Sequence, residues 1–89
     1  MNNKQILGAL AMDLKRVAIG YFRGSDAMAE RFYLEALKRR DELDSKDLKP
    51  YLNIYLNKLD SLNKEEKKKA ADNALLYSTI FQNASMVMS

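Results

Sequence analysis

Apolar residues recur every three or four positions through most of the chain, the period of a helix with one face turned inward. Over residues 3–23 the set is Ile6, Leu7, Leu10, Leu14, Val17, Ala18 and Tyr21, which predicts a first amphipathic helix. A second is predicted over residues 26–43, with Ala29, Phe32, Tyr33, Ala36, Leu37 and Leu43 on its inner face. Between them Gly24 stands where a helix end favours positive φ, and Ser25 stands where the next helix needs a side-chain oxygen for its free N–H groups. Asp26 and Glu30 lie towards the start of the second helix, and Lys38, Arg39 and Arg40 towards its end, both complementing its dipole. Glu35 precedes Arg39 by one turn, the spacing of a helical ion pair. A connection this short makes the two helices packed neighbours.

Periodicity is lost over residues 41–47, and Pro50, comfortable in a first turn and disruptive further in, marks the next helix start. Tyr51, Leu52, Tyr55, Leu56, Leu59 and Leu62 predict a shorter third helix over residues 50–62, with a narrow stripe close to a coiled-coil seam. Asn63 and Glu66 have the spacing of a capping box and open a fourth helix over residues 64–82. There Ala70, Ala71, Ala74, Leu75, Ser78 and Phe81 make one face, while Leu76, Tyr77 and Ile80 sit towards the other. Residues 83–89 show no usable period and are expected to be a frayed end or a segment ordered by a partner. The fold expected is an all-α domain, a four-helix antiparallel bundle with short loops, in which the third helix is a brace between long walls. Gly8 and Gly20, inside the first helix, read either as tolerated glycines or as points of close backbone approach.

At 89 residues the chain has material for one core. It has neither cysteine nor histidine, which removes disulfides, thiolate metal sites, the cysteine nucleophile and the commonest general base. Glu30, Glu35, Asp41 and Glu42 all fall on the second helix, and a bundle-core di-iron site needs Glu-x-x-His motifs that cannot be built here. No catalytic residue, metal or cofactor is therefore predicted. No apolar run approaches the roughly 18–20 residues of a membrane span, and the N-terminal stretch is interrupted by Asp13 with no cleavage pattern behind it. The expectation is a cytoplasmic protein with no membrane association.

Charge narrows the picture further. Fifteen basic against twelve acidic residues leave a formal charge of +3. Residues 1–24 carry four basic and one acidic side chain, so the excess belongs to the first helix. Lys15, Arg16 and Arg23 form a candidate contact for an anion, a phosphate backbone or an acidic protein; the competing reading is a solvated helix flank. A DNA-reading helix-turn-helix fits poorly, because both flanking helices are too long and the second begins acidic. Lys67, Lys68 and Lys69, beside Glu65 and Glu66, read as a solubilising helix start. Met12, Ile19 and Phe22 lie partly off the inner stripe of the first helix, as Leu76 and Ile80 do on the fourth, and are the candidates for an apolar interface. The function expected is a small protein–protein interaction module that self-associates as a homodimer or other homo-oligomer, its further partner unidentified. The alternative is a small nucleic-acid-binding regulator using the basic flank of the first helix. The five tyrosines suit either a core or an interface, with core packing the default.

The run DLKRVAIGYFRGSDAMAERF, followed by EALKRR, resembles a family of small cyanobacterial helical proteins to which no activity is attached. The resemblance covers roughly the first half of the chain. It implies a photosynthetic bacterial cytoplasm as the setting, and it carries no ligand or site residue with it.

Overall fold

The computed structural model describes residues 1–88. Among these, four α-helices and two short 3₁₀ segments form an all-α four-helix bundle: α1 (Asn3–Phe22), α2 (Asp26–Asp41), α3 (Pro50–Lys58) and α4 (Lys67–Val87), with 3₁₀ turns at Ser45–Asp47 and Leu59–Lys64. The molecule measures 37 × 20 × 19 Å. A helix of the length of α1 or α4 spans about 30 Å at 1.5 Å per residue, so these two set the long axis.

The hairpin between α1 and α2 forms as its residues dictate. Gly24 takes φ 74°, its N–H donates to the Tyr21 carbonyl at 3.1 Å, and the Ser25 N–H donates to the Gly20 carbonyl at 2.8 Å. These are the two bonds of a Schellman motif, which needs the left-handed residue only glycine supplies without strain. The Ser25 hydroxyl then accepts from the Met28 N–H at 3.3 Å and starts α2. Just beyond the turn the two helices nearly touch at their backbones: a Cβ on Gly20 would lie 2.7 Å from the Ala29 nitrogen. Of the two readings open for Gly20, close approach is the one realised.

On its other side α1 packs against α4. Ser78 Oγ donates to the Ala11 carbonyl at 2.7 Å, and Ser85 Oγ donates to the Lys4 carbonyl at 2.8 Å. Seven residues forward on α4 match seven backward on α1, so the pair is antiparallel. The same spacing runs on to Ala71 and Ala18, both buried. Small side chains along this seam let the axes come close. The space between the helices and α3 is filled by Leu7, Leu10, Leu14 and Val17 from α1, Phe81 from α4, and Leu48, Leu52, Leu56, Leu59 and Leu62 from the chain around α3. Each such aliphatic or aromatic side chain contributes about 1.5–3 kcal/mol on leaving water.

Five boundaries differ from those the periodicity predicts. α1 ends at Phe22 rather than residue 23, with Arg23 as its cap. α2 ends at Asp41 rather than residue 43, because Asn3 grips the chain there: its side chain donates to the Asp44 carbonyl at 2.9 Å and accepts from the Asp44 N–H at 3.0 Å. α3 ends at Lys58. The leucine stripe continues in 3₁₀ geometry, which brings residues three apart onto one side and buries Leu59 and Leu62 together; the Tyr33 hydroxyl donates to the Leu59 carbonyl at 2.6 Å. α4 begins at Lys67 with Glu66 as a cap that makes no side-chain bond. Asn63 lies in the 3₁₀ turn instead, so the expected capping box is absent. A real one stands at α1, where Asn2 Oδ1 accepts from the Gln5 N–H and Gln5 Oε1 accepts from the Asn2 N–H. Finally, α4 runs to Val87, five residues past the predicted end, held by Ala84 and Ser85 against the first turn of α1. Residue 89 lies outside the described residues. The predicted Glu35–Arg39 pair does not form: Glu35 pairs with Lys38, and Arg39 turns to Asp13 and Glu42.

The two glycines of α1 make a paired prediction. In Gly20→Ala the gain in helix propensity, up to about 1 kcal/mol, is outweighed by a contact with backbone that cannot move aside, and a net loss of about 1–3 kcal/mol is expected. In Gly8→Ala the new Cβ sits 3.4 Å from Ser85 Oγ, an ordinary contact, and the variant should be unchanged or more stable by up to about 1 kcal/mol. Urea unfolding of the two variants beside the parent measures both signs.

Candidate protein interaction site

Two apolar faces remain on the surface, and they divide the predicted interface residues between them. Met12, Lys15, Ile19 and Phe22 are spaced by three, four and three, one outward line along α1. Met12 and Lys15 also line a groove of about 400 Å³ whose other wall is Leu75, Thr79, Gln82 and Asn83 of α4. Phe22 is 57% exposed and Leu75 42%, whereas Ile19 is half-buried. Leu75 had been expected on the inner face. The antiparallel seam runs through Ser78 and Ser85, which leaves Leu75 at its rim, beside α1 but uncovered.

The second face lies where α3 meets α4. The Tyr55 and Tyr77 rings meet there, their centroids 5.8 Å apart and their planes tilted by 51°. Leu76, Ile80 and Val87 follow one another by four and seven along α4. Leu76 is exposed, Val87 is 79% exposed, and Ile80 is half-buried against the core. Tyr77, expected on the same outward side as these, is buried. Beside Val87 a small, largely apolar cleft of about 100 Å³ opens, bounded by Leu48, Tyr51, Leu52, Ala84 and Met88, with Asp47 and Lys49 at its edge. Tyr51 and, three residues on, Ile54 at 58% exposure extend the face across α3. Sequence reasoning passed over Ile54 and Val87. The signal for Ile54 was a large apolar residue out of step with the leucine stripe; Val87 had none, since its neighbours fall in a weakly periodic stretch.

The basic trio does not act as one patch. Lys15 stands in the α1–α4 groove. Arg23 caps the end of α1 and is exposed. Arg16 is drawn towards α2, its guanidinium 5.3 Å from the centroid of the Phe32 ring and 3.6 Å from Asp13 Oδ1; Arg31 approaches the same ring.

Asp13 itself is the one charged residue of α1 that faces the interior, with 7% of its surface exposed. Arg39 Nε lies 3.7 Å from its Oδ2, beyond hydrogen-bond reach, and neither atom has another partner. Burial pushes the Asp13 carboxyl above its ordinary value; Arg39 and Arg16 pull it back, and Glu35 adds to the rise.

Among the described residues no group of three or more carboxylates is placed to share a metal ion, and no helix is long and apolar enough to cross a membrane. Comparison with protein-family models, with curated proteins and with solved structures gives no match.

The sign of the Asp13 effect can be measured. The folded state holds the Asp13 proton more tightly than the unfolded chain does, so its stabilisation is fully present below the ordinary value of 3.8 and is lost as pH rises through the raised value. Relative to Asp13→Asn, the parent should gain stability as pH falls through that window, the reverse of an ion-paired surface carboxylate. Denaturation midpoints of both proteins across acidic pH report it; parallel curves would rule the effect out.

Proposed function

We propose that the protein is a small helical protein–protein interaction module that pairs with a second copy of itself through the α3–α4 face. The observation that carries this reading is an exposed apolar surface with charge only at its edge, where Asp47 and Lys49 border the cleft and Lys58 lies over the Tyr55 ring. Residues 50–57 and 73–88 include no Asp, Glu, Lys or Arg, yet Tyr51, Ile54, Leu76 and Val87 all stand open to solvent. In a two-fold pairing each residue of the patch meets the same patch of its partner, so a surface apolar at its centre, with both signs of charge at its edge, is complementary to itself. The cleft beside Val87 offers room for a single apolar side chain, the kind of anchor on which such interfaces concentrate their energy.

The basic line on α1 would instead set like charges against each other in such a pairing. Nucleic-acid binding draws weaker support, because Arg16 is already engaged by Asp13 and Phe32 and the basic trio of α1 does not form one patch.

Light scattering over a range of concentrations, at low and high ionic strength, tests the proposal. A dimer insensitive to salt is expected for the parent. Ile54→Glu, a change at an exposed site that leaves the core untouched, should weaken dimerisation at least about tenfold by placing charge in the contact. A parent that stays monomeric throughout would sink it.

A further inference from the structure

We infer that Met88 is a redox-sensitive latch on the α3–α4 face: oxidation of its thioether to the sulfoxide turns the side chain out of the cleft and removes a wall against which a second copy packs. The effect on pairing rests on the self-association reading; the oxidation site and the movement of the side chain do not.

The chain has no cysteine, so sulfur oxidation falls on its five methionines alone. Four of them lie away from the pairing face. Met12 lines the α1–α4 groove. Met86 follows Thr79 by seven and Gln82 by four, which puts it on that same groove line of α4. Met28 belongs to the first turn of α2, and Met1 Sδ lies 3.9 Å from Arg39 Nη1. Only Met88 borders the apolar cleft beside Val87.

Met88 also stands between two unlike spaces. On one side it is packed against the core and closes the cleft with Leu48, Leu52 and Ala84. On the other it borders a larger polar groove of about 410 Å³, whose walls include Asn2, Lys4, Glu42 and Asp44. The thioether is apolar and flexible and suits the cleft. It is half-buried rather than enclosed, so a small polar oxidant reaches it through the groove.

Hydrogen peroxide is the oxidant the site admits. A sulfur lone pair attacks one peroxide oxygen, an S–O bond forms as the O–O bond breaks, and the released hydroxide takes the proton of the transferred hydroxyl and leaves as water. Sulfur is oxidised by two electrons and the peroxide is reduced by two. The sulfoxide oxygen accepts hydrogen bonds, and the apolar wall of Leu48, Leu52 and Ala84 gives it none, so keeping it in the cleft is unfavourable. The groove side holds a donor. Lys4 Nζ already donates to the Met88 carbonyl at 3.2 Å, and an ammonium has three protons to share. The oxidised side chain therefore turns towards Lys4 and leaves the cleft open.

The test treats the full chain with hydrogen peroxide until Met86, 69% exposed, is fully converted, and maps the added oxygen by peptide mass. Met88 should be converted in the same samples. Light scattering should then show dimerisation weakened at least about tenfold, and reduction by methionine sulfoxide reductases should restore it. Met88→Leu, which conserves volume, should dimerise like the parent and keep doing so after peroxide. Met86→Leu should lose pairing as the parent does. Methyl resonances of Leu48, Leu52 and Val87 should shift on oxidation of the parent and stay in place in Met88→Leu.

Met88 left unconverted, cleft resonances that do not move, or equal loss of pairing in oxidised Met88→Leu would each overturn the inference. A parent that is monomeric before oxidation, yet shows the Met88-dependent shifts, would remove the self-association reading and keep the latch. A dimer that persists with Met88 fully oxidised would remove this inference alone.

Discussion

The fold depends on how closely two helices approach α1. On one side the backbone of α2 comes so near that Gly20 has no room for a Cβ against the Ala29 nitrogen. On the other, Ser78 and Ser85 reach the Ala11 and Lys4 carbonyls with their hydroxyls. A helical carbonyl can accept a second hydrogen bond because its oxygen has two lone pairs, so these contacts cost α1 none of its own bonds. They also satisfy hydroxyls that would otherwise be buried without partners. With both flanks taken and the leucines around α3 covering a third side, α1 keeps only a narrow outward strip. Met12 and Phe22 lie exposed along it, and Ile19 half-buried between them, for that reason, not because the helix lacks a core face.

The Asp13–Arg39 pair belongs to the same geometry. The spacing that places Leu10, Leu14 and Val17 in the core places Asp13 between them, towards α2. Two charges at 3.7 Å without a hydrogen bond attract each other, but removing the carboxylate from water opposes that gain. The raised proton affinity of Asp13 is the visible sign of this balance. Arg16, though exposed, is caught in it as well, and that draws one of the three cations of α1 towards α2.

What is left outside is a surface divided by charge rather than by chemistry. One face, across α3 and the C-terminal half of α4, is apolar at its centre, with Asp47, Lys49 and Lys58 at its edge. The other, along α1, carries Met12, Phe22 and the half-buried Ile19, with Lys15 in the groove beside α4.

Much of this was legible in the chain. Strong periodicity in large residues located all four helices, and the inner stripes of α1 and α3 are buried except for Tyr21, Tyr51 and Tyr55. Gly24 and Ser25 marked their turn because positive φ and a capping oxygen are local requirements that neighbours do not alter. The last turns of α4 were not legible. Ala84 and Ser85 are small, so their burial barely registers as a hydrophobic pattern, and it takes the first turn of α1 to order them. The change from α to 3₁₀ geometry after Lys58 likewise depends on a tyrosine hydroxyl arriving from α2. Whether Leu75 or Tyr77 faces inward, and whether Arg16 is free, turns on where the neighbouring helix lies, to within a fraction of a turn. A sequence states which side chains can be buried and which backbone angles are allowed; the position of a partner helix, and with it every residue at the rim of a stripe, is decided only when the whole chain packs.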